Sequence, residues 1–172
     1  MMKKSQSGMM LIEALIAILI FSLGILGMVA MGSVAIAAQS DSQYRTEAAN
    51  YASEIASRIS LDMAQASYGG PTLSNYAHQP ANGGYCSFAG APSGQQIVTD
   101  WVNRVAGVAD PKIGLPGATI TSQQIAVDQT PGAGFNRVTI TICWQPPSSR
   151  ASTFSNMAFA PPHQYQLVTY IN

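Results

Sequence analysis

Ionisable side chains are scarce in this chain: only 9% of its 172 residues are Asp, Glu, Lys or Arg, against about 25% in soluble domains. The deficit is local, because no side chain ionises between Glu13 and Asp41 while the rest reads as an ordinary polar domain. Eight Lys and Arg offset eight Asp and Glu, so there is no basic surplus to hold a nucleic acid. Cysteine is almost as rare. Cys86 and Cys143 show neither Cys-x-x-Cys spacing nor a flanking His cluster, which argues against a metal site. His78 and His163 stand apart in the sequence, both close to prolines, and Gly-x-Ser-x-Gly, His-Glu-x-x-His and phosphate-cradling glycine motifs are all missing. No enzyme activity, cofactor, metal or small-molecule substrate is expected from such a set.

What the chain does have is an apolar run. From Ala14 to Ala38 there are 25 positions without charge or proline, more than the roughly 20 that cross a bilayer as a helix. Lys3 and Lys4 precede the run, and no Lys or Arg follows until Arg45. This asymmetry puts the amino terminus in the cytoplasm and everything after about residue 40 on the far side. A secretory signal would offer Ala35-Ile36-Ala37 for cleavage, but its apolar core is about 7 to 15 residues long, half the length found here. A plain signal anchor fits the length yet leaves Glu13 unexplained, four residues inside a run that begins at Met9. A carboxylate in a membrane segment is strongly disfavoured unless paired, so Glu13 calls for a cationic partner. Gly24, Gly27 and Gly32 in the same run would permit close helix approach.

The start Lys3-Lys4-Ser5-Gln6-Ser7-Gly8, followed by Met9-Met10-Leu11-Ile12-Glu13-Ala14-Leu15, resembles the class III signal of type IV prepilins: a short basic leader, Gly before the cut, and Glu at the fifth mature position. The resemblance covers about the first 35 residues. It implies that a prepilin peptidase cleaves between Gly8 and Met9 on the cytoplasmic side and methylates the new amino terminus at Met9. It also implies that Glu13 pairs with the amino terminus of a neighbouring subunit during assembly. Met at the first mature position, and no proline midway along the helix, are departures that suit a minor component.

Beyond Ala38 the composition changes while helical spacing continues. Tyr44, Ala48, Tyr51, Ala52, Ile55, Ile59 and Met63 recur at three- and four-residue steps, giving one apolar face. Asp41 with Arg45 and Glu54 with Arg58 are spaced to pair along it. One helix is therefore expected from about Met9 to Ala66. Glycine and proline crowd residues 67 to 96, which reads as loop. Ser93 and Gln96 resemble a capping box before a short helix carrying Val98, Trp101, Val102 and Val105, with Trp101 a core anchor. Ile125 and Val127, then Val138, Ile140, Ile142 and Trp144, alternate with polar neighbours across a turn at Pro131–Gly134. Tyr165 to Ile171 makes a last strand after a Ser- and Pro-containing loop from Pro146.

The expected fold is α+β: a leader (1–8), a membrane half of the first helix (9–38), an amphipathic half (39–66), and a head (67–172) whose antiparallel sheet packs one face on that helix. The whole resembles the pilin roll. Cys86 and Cys143 read as a disulfide in an oxidising compartment, with two separate buried thiols as the other reading. A bridge closing a loop of this length stabilises by up to about 4 kcal/mol.

Met10–Leu15, the run Ser22-Leu23-Gly24-Ile25-Leu26-Gly27 and the late Thr141-Ile142-Cys143-Trp144 suit the PilV-type minor pilins. Membership implies other minor and major pilins as partners in a hetero-oligomer, a single-pass inner-membrane precursor with a periplasmic head, and a place in an extracellular pilus, near its tip. The minor pseudopilins of type II secretion systems share the amino-terminal signal and the roll. An adhesive module is a further reading, since Tyr, Asn, Ser and Gly in loops 67–92 and 146–163 could form a contact surface. Replacing Gly8 with a bulky residue, as in Gly8→Phe, is expected to leave an uncleaved, membrane-retained precursor on immunoblots. Normal processing of that variant would contradict the cleavage assignment.

Overall fold

The computed structural model describes residues 7–66, 70–129, 136–145 and 161–171, with side chains of 7–9, 33 and 37 excepted. The leader lysines Lys3 and Lys4, the turn at Pro131–Gly134 and most of the loop after Pro146 lie outside the described residues. Contacts divide the chain into two units, Met1–Ser40 and Asp41–Asn172.

The first helix, α1, runs Ser7–Gln65, beginning two residues before the expected start. Nothing along it breaks a helix. The first proline of the chain is Pro71, and Ala, Leu, Met and Ile supply adequate propensity throughout. Within the first unit, every described side chain from Met10 to Gln39 is exposed. In the second unit α1 becomes one-sided: Ala48, Tyr51, Ala52, Ile55, Ala56 and Ile59 are buried, with Tyr44 and Met63 partly so. These are the positions that the helical spacing marks, with Ala56 added.

The head repeats the expected order with small additions. A 3-10 turn at Leu73–Tyr76 leads to a short hairpin, β1 (Ala81–Asn82) and β2 (Phe88–Ala89), then α2 (Gln96–Val105), β3 (Gln123–Asp128), β4 (Asn136–Trp144) and β5 (His163–Ile171). The last three strands form an antiparallel sheet in the order β3-β4-β5. Ile125, Ile140 and Leu167 lie in one cross-strand row. With Val138 and Ile142 they join the α1 face and the α2 residues Val98, Trp101, Val102 and Val105 in a single core. Trp101 is fully buried, and its indole N–H donates to the Tyr51 carbonyl at 2.9 Å. Each large aliphatic side chain so enclosed contributes about 1.5–3 kcal/mol.

Two features depart from expectation, and a third lies outside it. Ser93 does not cap α2: Gln95 is the N-cap residue and makes no side-chain cap. The Ser93 hydroxyl instead donates to the Asn75 carbonyl at 2.8 Å and accepts from the Gln95 N–H at 3.2 Å, tying the helix start to the 3-10 turn. The second departure is that the sheet is buried on both faces over part of its width. Burial along β4 is unbroken from Ile140 to Trp144, so Thr141 and Cys143 are enclosed as fully as Ile142. The third is a close approach after α2. Gly107, at φ +64°, ends the helix with Val108 N–H bonded to the Asn103 carbonyl and its own N–H to that of Arg104, the Schellman arrangement. A Cβ on Gly114 would stand 2.3 Å from the Gly107 nitrogen, so this crossing admits only glycine there. It delivers Leu115 N–H to the Val105 carbonyl at 2.9 Å and the Ile113 carbonyl to the Tyr51 hydroxyl at 2.8 Å.

His78 is a structural residue. Its backbone bridges to Ile125 through two 2.9 Å hydrogen bonds. Its Nδ1 accepts from the Ser93 N–H at 3.3 Å, leaving Nε2 protonated toward the Ile120 carbonyl at 3.3 Å. Burial outweighs the Ile120 contact and lowers the imidazole pKa from its ordinary 6.5. The unfolded chain then binds the proton more readily, so stability present above pH 6.5 is lost as pH falls through 6.5 toward the lower folded value. Urea unfolding followed by tryptophan fluorescence is expected to show this loss in the wild type and a flatter profile in His78→Gln. Equal slopes would exclude His78 as its source.

Candidate functional site

In the first unit the question is what covers α1. Among its described residues, seventeen large hydrophobic side chains between Met10 and Ile36 are 47–78% exposed, far beyond what a water-facing helix presents. The segment is long and apolar enough to cross a membrane. At 1.5 Å per residue, Ala14–Ala38 extends about 38 Å, more than the ~30 Å hydrocarbon layer. Polar side chains within it are satisfied locally where they are described: the Ser22 hydroxyl donates to the Ile18 carbonyl at 2.7 Å, as an intramembrane hydroxyl must. Gly24, Gly27 and Gly32 each have open space where a Cβ would stand, so no described residue packs against them.

Glu13 is the exception to this apolar surface. It is exposed in the isolated chain and has no ion-pair partner among the described residues. Glu13 lies one turn beyond Met9, and α1 is already helical at Gly8 and Met9. The carboxylate therefore sits on regular helix, on an exposed apolar surface suited to cover by lipid or by other helices. Either covering removes it from water, and a cation from outside this chain is the chemistry that would offset the loss.

The second unit contains a cluster that the sequence does not announce. Asp41 accepts from the Arg45 Nε at 3.0 Å, and its Oδ1 approaches His163 Nδ1 at 2.6 Å. The His163 ring meets Trp144 edge-on with centroids 5.7 Å apart, and Cys86 Sγ lies 3.9 Å from the His163 carbonyl. Cys86 is bonded to Cys143, with Cα atoms 5.7 Å apart. The expected pairs along α1 form, Asp41–Arg45 at 3.0 Å and Glu54–Arg58 at 2.8 Å, and Arg104 of α2 adds a contact to Glu54 at 2.9 Å that spacing in the sequence could not reveal. The Tyr76 hydroxyl donates to the Asp62 carboxylate; burial, then that carboxylate, raises its pKa. The contacts of Asp41 with His163, Glu54 with Arg104 and Asp62 with Tyr76 join α1 to the head, and no group of three or more potential metal ligands occurs among the described residues.

No protein-family model, curated protein or solved structure matches the chain. The functional reading therefore rests on these residues and their arrangement. Glu13→Ala is expected to insert in the membrane as the wild type does, yet to co-purify with partner membrane subunits at several-fold lower yield. Recovery at wild-type yield would contradict a pairing role for the carboxylate.

Proposed function

We propose that the chain is a type IV prepilin whose mature product is a minor pilin, one that primes or joins filament assembly near the tip. The observation that carries this reading is the combination, in one short stretch, of a basic leader, Gly8 before Met9, and Glu13 as the one acid in an apolar segment otherwise uncharged up to Asp41. In the proposed sequence of events the leader stays in the cytoplasm, and prepilin peptidase cuts the Gly8–Met9 bond and methylates the Met9 nitrogen. The mature helix waits in the inner membrane with its head in the periplasm. Extraction from lipid into a bundle of like helices exchanges one apolar environment for another, so the exposed side chains from Met10 to Ile36 add little preference between the two states.

Glu13 supplies the preference. In lipid its charge is uncompensated; in a bundle, the amino terminus of an adjacent subunit can meet it. The pairing fixes the axial register between helices. An α+β head with one long helix and an antiparallel sheet suits the pilin roll, and the Cys86–Cys143 bridge suits an oxidising compartment such as the periplasm. Both agree with the orientation that the lysines of the leader prescribe.

Intact-mass and amino-terminal sequencing of the membrane-extracted protein test the reading. The expected mature chain begins at N-methylated Met9. A chain beginning at Ala38, or retaining Met1, would overturn it.

A further inference from the structure

Beside the doubly buried part of the sheet lies an open cavity of unusual chemistry. Gln124 of β3 lies opposite Thr141 of β4, which lies opposite Gln166 of β5. This row is on the face opposite the core row of Ile125, Ile140 and Leu167, because side chains alternate along each strand. Gln164, two residues from Gln166, shares that face, as does Cys143. The disulfide from Cys143 to Cys86 holds the β1–β2 hairpin over it. Between hairpin and sheet lies a cavity of about 320 Å³, lined by Asn82 and Tyr85 above and by Gln124, Thr141, Gln164 and Gln166 below.

Three observations define what such a cavity can hold. Among the described residues no Asp, Glu, Lys, Arg or His lines it, so the described lining offers no compensation for the charge of a phosphate, a carboxylate or a metal ion. Its polar groups are amides and a hydroxyl, each able to donate and to accept, and Tyr85, 62% exposed, adds an aromatic ring at the rim. Finally, Thr141 is only 1% exposed, yet its Oγ1 finds no hydrogen-bond partner among the described residues. A buried hydroxyl left so costs about 1–3 kcal/mol; Thr141 lies beneath the floor of the cavity, covered by its neighbours, so a ligand hydroxyl meets it only after those side chains shift. The neighbouring Gln124 amide is already held, donating to the Gln79 carbonyl at 3.0 Å and to Asn82 Oδ1 at 3.4 Å, so part of the lining is ordered before any ligand arrives.

We propose that this cavity is a binding site for a neutral saccharide. The hydroxyls of a pyranose ring donate and accept in the same way as the lining amides, and its C–H face suits the Tyr85 ring. The volume is at the lower end of ligand pockets, room for one or two sugar units. The site lies on a sheet face, whereas strand addition by a peptide takes place along a strand edge, so that is not the mode it offers. It owes nothing to the processing of the amino terminus, and its failure would leave the assembly reading untouched.

The test uses the full-length chain in a non-glycosidic detergent, with glucose, galactose, mannose and N-acetylglucosamine as probes in saturation-transfer difference NMR and calorimetric titration. At least one is expected to show transfer and a measurable Kd, weakened about tenfold by Gln166→Ala or Tyr85→Ala, the loss of roughly one good contact. Val168→Ala, an exposed change on the same sheet face outside the cavity, is expected to leave the affinity unchanged. Both Gln166 and Tyr85 are exposed, so their variants should retain the wild-type unfolding midpoint, measured alongside. No transfer from any of the four sugars, or binding that neither cavity substitution weakens, would overturn the proposal.

Discussion

A helical surface with no charge between Glu13 and Asp41, and with its large side chains exposed, cannot remain in water. That constraint governs the chain. Covering those side chains with lipid or with other helices is the only way to recover the hydrophobic free energy they carry, and either covering places Glu13 in a low dielectric. A carboxylate there must be paired, protonated or drawn to the interface. The apolar segment is thus long and apolar enough to cross a membrane, and under the proposed reading the single acid within it calls for a cation from outside the chain.

The head answers a different demand. With about 130 residues in its unit, it builds one core between the buried face of α1, α2 and one face of the sheet. The hairpin β1–β2 is too short to persist unaided, and the Cys86–Cys143 bridge fixes it over the second sheet face. The same bridge lies beside His163 and Trp144, next to the Asp41 carboxylate. One covalent link therefore both shapes the polar cavity around Thr141 and stands close to the contact fastening the end of the chain to α1.

Much of this was legible from residue order, and the limits have physical causes. The helix from about Met9 to Ala66 and the buried positions Ala48, Tyr51, Ala52, Ile55 and Ile59 follow from a period that only a helix satisfies. The three strands follow from alternation, and Ile125, Val138, Ile140, Ile142 and Leu167 do face the core, while Val168 and Tyr170 of β5 are exposed on the other face. Alternation, however, reports only that one face is apolar; it says nothing of whether the polar face meets water. Thr141 and Gln124 look solvent-facing in sequence and are buried, because a disulfide between residues 57 apart brings a covering loop. Asp41 with His163 was illegible for a similar reason, since 122 positions separate them and neither has a local signature. Ser93 misled because a Ser-x-x-Gln pattern fixes spacing but not where the helix begins; its hydroxyl found the Asn75 carbonyl instead. The reading of a leader and of a cut at the Gly8–Met9 bond rests on residue identity alone.

The central claim is that Glu13 is neutralised by the amino terminus of a neighbouring subunit, and the most direct test is to couple the two covalently. A membrane-permeant carbodiimide applied to assembled filaments, followed by proteolysis and mass spectrometry, reports which amine lies against the carboxylate. The account predicts a peptide joining Glu13 to the amino-terminal residue of another subunit. A Glu13 recovered only as the unlinked acid or the carbodiimide adduct, from filaments in which the chain is present, would contradict it.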